Sequence, residues 1–174
     1  MVDAAICAFC DSQRMSEVMD FGKVALAGGF LKPEQFDQEL KFPLRLYYCH
    51  DCYAMQVVDK VPEDILFHNY FYFSSSISTL REHFQKYASE ITSRFLENNE
   101  ATVLEFGCND GVLLKPLADE GIRTVIGVDP AENVISTIND PRVIVVNDFF
   151  TEIIADRILA EYGKVDIIMA NNVY

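Results

Sequence analysis

The ten residues 102–111, TVLEFGCNDG, constrain this chain more than any other stretch. Thr102, Val103, Leu104 and Phe106 read as a buried strand that ends in a glycine turn and passes directly into an apolar helix. Glu105 stands two positions before Gly107, and Gly111 stands four positions after it. An acid-x-Gly-x-x-x-Gly turn brings bare backbone close to a ligand and aims the first N–H groups of a helix at it.

The residues after this turn alternate strand and helix in the manner of a parallel, doubly wound sheet. The pattern predicts strands at 102–106, 124–128, 143–147 and 165–170, with helices near 111–120, 131–138 and 151–162. Ligands of such sheets collect beyond the carboxyl ends of the strands. Glu105, Asp129, Asp148 and Asn171 all fall at such ends and should line one rim. Asp129 follows Gly107 by 22 residues, so its carboxylate can accept both hydroxyls of a ribose. That geometry serves NAD and S-adenosylmethionine equally. The turn separates them: a dinucleotide fingerprint G-x-G-x-x-G starting at Gly107 needs glycine where the chain has Asn109, and glycine or alanine where it has Val112. Pyrophosphate then has poor access to the backbone. Asp148 and Phe149 offer an acceptor for an adenine amine beside an aromatic wall, although Asp148 could equally cap the helix starting near Thr151. Cys108 reads as a small packing residue.

Before the sheet, apolar residues recur at Ile77, Leu80, Phe84, Tyr87, Ile91 and Phe95, a helical spacing that predicts one long amphipathic helix lying on the sheet. His83 falls beside the stripe, on the helix surface. Ahead of the helix, HNYFYFSSS at 68–76 is rich in aromatic and hydroxyl groups without a period, the composition of packing between modules. At the far end, residues 165–170 look buried on both faces, yet in a 3-2-1-4 strand order they form an exposed edge. The expectation is that the chain is the N-terminal piece of something longer, or that self-association covers this edge.

Cys7 and Cys10 form one C-x-x-C pair, and Cys49 and Cys52 form another. Four thiolates so paired suit a structural zinc. The 38 residues between the pairs exceed the usual ribbon spacing of roughly 15–20, which predicts an excursion over residues 20–43, where Gly22, Gly28, Gly29, Pro33 and Pro43 lie. Ordinary reduced cysteines are the alternative, and His50 could in principle replace one ligand. The N-terminus has no basic region followed by an apolar core, and no apolar run reaches the roughly 18 residues of a membrane helix. A cytoplasmic location is expected, where cysteine pairs more often hold metal than form disulfides. The net charge of −13 argues against nucleic acid as a partner, because phosphate binding needs a basic surface.

Taken together, CAFC, CHDC, YFYFSS at 70–75, REHF at 81–84, GCNDG at 107–111, DFF at 148–150 and ANNV at 170–173 resemble the sugar-nucleotide C-methyltransferases of deoxysugar biosynthesis. The resemblance implies an α/β fold: a small zinc-binding N-terminal module, residues 1–75 with the tyrosine-rich segment, followed by the first half of a Rossmann-like class I methyltransferase sheet, residues 76–174. It implies that Glu105, Gly107, Asn109, Asp110, Gly111, Asp129, Asp148, Phe149 and Asn171 hold S-adenosylmethionine, and that Cys7, Cys10, Cys49 and Cys52 hold Zn2+. The expected substrate is a 4-keto deoxysugar on a nucleoside diphosphate, commonly dTDP, methylated at a ring carbon next to the ketone. Tyr72, with Tyr70 second, is the expected catalytic tyrosine, and the family's histidine base is expected beyond Tyr174, so the chain alone should not turn over. An NAD(P)-dependent reductase and a non-catalytic zinc-stabilised interaction module are the competing readings.

Overall fold

In the computed structural model, which describes residues 5–28, 30–68 and 70–173, the chain divides into two units at Leu66/Phe67. In the first, β1 (Met15–Ala25) pairs antiparallel with β2 (Lys41–Cys49), and β2 pairs with β3 (Met55–Val57). The expected excursion over 20–43 is therefore largely a hairpin. Gly22 and Pro43 lie within its strands, whereas Gly28 and Pro33 fall in the connection between them. β1 is irregular between Asp20 and Lys23, where Gly22 takes a φ of 73° and donates its N–H to Asp20 Oδ1 at 2.7 Å. Pro43 lies outside the stretch Leu46 to Tyr48 that β3 covers, so its missing N–H costs no second ladder bond. Among the described residues of this unit only Cys7, Tyr47 and Cys49 are buried hydrophobics. A short helix, α1 (Glu63–Phe67), follows Pro62.

The second unit carries α2 (Ser78–Phe95), β4 (Thr102–Phe106), α3 (Leu114–Asp119), β5 (Thr124–Val128), α4 (Glu132–Ile135), β6 (Val143–Val146), α5 (Glu152–Tyr162) and β7 (Ile167–Met169). The four strands are parallel in the order β6-β5-β4-β7, which is the expected 3-2-1-4. Alternate residues of the strands enter two cores. Val103, Val125 and Val143 join Phe84, Ala88 and Ile91 of α2 and Leu114, Leu117 and Ala118 of α3. Leu104, Ile126 and Val146 join Ile154 and Ile158 of α5. The apolar stripe of α2 thus lies on the sheet as its spacing predicts, except that Ile77 and Phe95 at its ends stay exposed. β7 departs from the expectation of burial on both faces, because Ile168, on the edge strand, is 58% exposed.

Candidate functional site

The two C-x-x-C pairs fold as copies of one turn. Cys7 donates its N–H to the Ser12 carbonyl and accepts from Asp11 N–H, and Cys49 repeats this with Ala54 and Tyr53. Asp11 and Tyr53 occupy equivalent left-handed positions at φ 57° and 63°. The four sulfurs converge within 4.8 Å of one another, with Cys7 to Cys52 at 3.6 Å and Cys10 to Cys49 at 3.7 Å. A tetrahedron with Zn–S of about 2.3 Å has edges of about 3.8 Å, so the cluster fits the metal. Burial pushes the Cys7 thiol up, but the N–H groups of Phe9 and Cys10, the Gln56 amide and Cys52 together hold it down to about 6. Cys49 is lowered too, whereas burial and neighbouring sulfurs push Cys10 and Cys52 up. Gln56 escaped the sequence reading. It is buried, donates Nε2–H to Cys7 Sγ at 3.0 Å and accepts the Ala8 N–H at 2.8 Å. The sequence carried no signal for it, because in β3 the polar Gln56 faces inward while its apolar neighbours Met55 and Val57 are exposed. His50 is not among the converging ligands; its ring meets Ser16 Oγ and the edge of Tyr48.

At the rim of the parallel sheet the strand ends are tied to one another. Glu105, in register with Gly127 and Met169, is almost wholly buried. Its Oε1 accepts from Asn171 Nδ2 at 2.8 Å, which joins β4 to the end of β7, while Oε2 is sealed without a hydrogen-bond partner. Burial, reinforced by the nearby Asp129 charge and opposed by Asn171, pushes this carboxyl up to about 8. Gly107 turns at φ 66° and gives its N–H to the Val128 carbonyl at 2.8 Å. Asn109, left-handed at φ 52°, donates its N–H to Asp129 Oδ2 at 2.8 Å, and the other Asp129 oxygen accepts from Ala131 N–H at 2.9 Å. Asn147 reaches back from β6 to the Asp129 carbonyl. Each Asp129 oxygen keeps a second lone pair, so the carboxylate can still accept two hydroxyls.

The other expected positions have distinct surroundings. A Cβ on Gly107 would lie 2.2 Å from Val173 Cγ2; the backbone expected to face a ligand is covered by the chain's own side chain, which a ligand would have to displace. Gly111, at φ 75°, is packed under Ile138. Asp148 is exposed and accepts the N–H of its neighbour Phe149 at 2.8 Å. Thr151, not Asp148, caps α5 by accepting from Ile154 N–H. Phe149 is half-buried, and it is Phe150 that stacks on Phe106, with centroids 4.8 Å apart. Cys108 is a buried packing residue against Gly127, where a Cβ would come within 2.8 Å of its sulfur and 2.4 Å of Leu114 Cδ1.

The tyrosine-rich segment lies on the second unit's side of the division, because its backbone is hydrogen-bonded to the rim. Asn109 accepts the Ser74 N–H at 2.9 Å and donates to the Tyr72 carbonyl at 2.9 Å. Asp110 accepts the Ser75 N–H with both oxygens, and Asn133 brackets Tyr70. The side chains of Asn109 and Asp110 are thus spent on this segment. Tyr70, Phe71 and Tyr72 meanwhile are exposed, with Tyr72 at 46%, while Phe73 is half-buried and the Tyr70 ring lies 6.4 Å from that of Phe67. His83 lies on the exposed side of α2, stacked on Tyr87.

Among the described residues no helix is long and apolar enough to cross a membrane. Residues 7–67 match the family described as "Putative zinc binding domain", and residues 80–174 match the family described as "Methyltransferase domain". Over 158 residues the chain is 31% identical to "C-methyltransferase NovU" of Streptomyces niveus; the alignment covers 90% of this chain and 37% of that protein. The chain therefore spans a little over a third of the length of that relative. With a four-stranded 3-2-1-4 parallel sheet, an acid-glycine turn at its first strand end and a match over more than half its residues, the chain belongs to the methyltransferase-domain family.

Proposed function

We propose that this chain is the zinc-binding and cofactor-binding part of an S-adenosylmethionine-dependent C-methyltransferase that acts on a nucleotide-linked, dTDP-type 4-keto deoxysugar in the cytoplasm. The observation that carries this reading is the rim itself. One continuous set of hydrogen bonds runs from Asp129 through Asn109 to the tyrosine-rich segment, so the group suited to a ribose and the group suited to a sugar ketone share a single frame. The likeness to a C-methyltransferase over nearly the whole chain supports transfer to carbon.

When bound, S-adenosylmethionine supplies an electrophilic methyl group. Asp129 accepts the ribose hydroxyls, Asp148 and Phe149 receive the adenine, and Glu105 with Asn171 closes the deep end of the site. The turn residues Gly107, Asn109, Asp110 and Gly111 shape the cradle between them. A ring carbon becomes nucleophilic only after losing a proton to a base, with the charge delocalised onto the neighbouring ketone oxygen. Tyr72, or Tyr70 in its place, donates its phenolic O–H to that oxygen and stabilises the developing charge. Zinc on Cys7, Cys10, Cys49 and Cys52 holds the N-terminal module in shape and takes no part in the chemistry. The tyrosine-rich segment, expected at the end of the N-terminal module, works with the cofactor domain, to whose turn its backbone is hydrogen-bonded.

Calorimetric titration tests this reading. S-adenosylhomocysteine is expected to bind at one site per chain, with no response to NADH. Tight NADH binding and silence toward S-adenosylhomocysteine would replace the methyltransferase with a nicotinamide-dependent reductase.

A further inference from the structure

Asn133 was not singled out by any motif, and it is exposed at the start of the short helix α4. Its carboxamide nevertheless makes two hydrogen bonds to one residue 63 positions away. Oδ1 accepts the Tyr70 N–H at 3.0 Å, and Nδ2 donates to the Tyr70 carbonyl at 2.8 Å. This is the pairing a neighbouring strand would offer, supplied by a side chain. Further along, the same segment is held by a second set of contacts from the glycine turn: Asn109 on Tyr72 and Ser74, and Asp110 on Ser75. The aromatic side chains between the two anchor points are exposed. Their placement therefore rests in large part on the backbone anchors.

We propose that Asn133 is a positioning residue that sets the register of the tyrosine-rich segment, and with it the presentation of Tyr70 and Tyr72 to a nucleotide-linked sugar, independently of the cofactor turn. The substrate half of this statement rests on the function proposed above. Asparagine suits the role because one planar group both donates and accepts. An aspartate of the same shape can still accept from the Tyr70 N–H but sets a second acceptor against the Tyr70 carbonyl. Since Asn133 is exposed and buries no apolar surface, substitutions there leave the core intact.

The test compares the wild-type chain with Asn133→Asp and Asn133→Ala. Losing both bonds in Asn133→Ala should raise amide exchange at Tyr70 about five- to tenfold, with Ser74 and Ser75 amides unchanged, and Asn133→Asp, which keeps an acceptor for the Tyr70 N–H, should raise it less. The affinity for dTDP-glucose, used as the nucleotide-sugar probe, should weaken by a similar factor. The affinity for S-adenosylhomocysteine and the melting temperature should not move. Unchanged exchange at Tyr70 would overturn the register claim. An equal loss of S-adenosylhomocysteine affinity would overturn it too, since it would mark general damage to the rim. A wild-type chain that ignores dTDP-glucose removes the substrate class instead, and exchange at Tyr70 then decides the register claim alone.

Discussion

Stripping metal from the Cys7, Cys10, Cys49 and Cys52 cluster with a chelator should unfold the first unit. Its fold has little else to rest on. Among its described residues three hydrophobics are buried and two of these are themselves ligands, leaving Tyr47, and a single buried side chain of that kind contributes about 2–3 kcal/mol. A four-thiolate zinc site contributes roughly 10–16 kcal/mol near neutral pH. The metal term is several times larger, so the hairpin and β3 should not persist without it. Chelation should abolish the near-ultraviolet circular dichroism of Tyr47, Tyr48 and Tyr53, release about one zinc per chain, and leave the melting of the parallel sheet, which has two apolar cores of its own. Cys49→Ser should behave as the chelated protein does. A first unit that keeps its near-ultraviolet signal after complete metal removal would refute this reasoning.

Other expected outcomes follow from single contacts. Glu105 holds its proton to about pH 8 when folded, against 4.5 in the unfolded chain. The folded state thus binds more protons in that window, and stability falls as pH rises through it. Glu105→Gln should flatten this decline in thermal melts across the same range. Gly127→Ala would force a methyl group within 2.4 Å of Leu114 Cδ1, and such overpacking costs about 1–3 kcal/mol, visible as a lowered melting temperature. Asp129→Asn can no longer serve as a two-oxygen acceptor, and S-adenosylhomocysteine affinity should fall about tenfold or more, roughly 1.4 kcal/mol, by calorimetry.

The parallel sheet was legible because each of its strands is an apolar run with an acid or an asparagine at its end, so strand order and rim could be read together. Cys7, Cys10, Cys49 and Cys52 were equally plain, since paired spacing is itself a geometric statement. The hairpin between them was not, because Gly22 and Pro43 mark a loop by composition yet lie within strands, Gly22 at an irregularity of β1 and Pro43 in the part of β2 that pairs with β1 alone. The ties across the rim were hidden for a different reason. Asn109 and Asn133 act on backbone groups 37 and 63 residues away, and no local pattern records which carbonyl a side chain will meet. Gly127 reads as an ordinary strand glycine until Leu114 and Cys108 are seen against it, and Val173 reveals its cover over Gly107 only in three dimensions. Phe150, not Phe149, found the aromatic partner because Phe106 lies on that face of β4.

The central claim is that the turn from Glu105 to Gly111 holds an adenosyl cofactor anchored on Asp129. A crystal structure of the chain grown with S-adenosylhomocysteine measures this directly. The account predicts ribose hydroxyls on the two Asp129 oxygens and Val173 withdrawn from Gly107. Val173 still seated on Gly107, with the ligand absent or bound elsewhere, would contradict it.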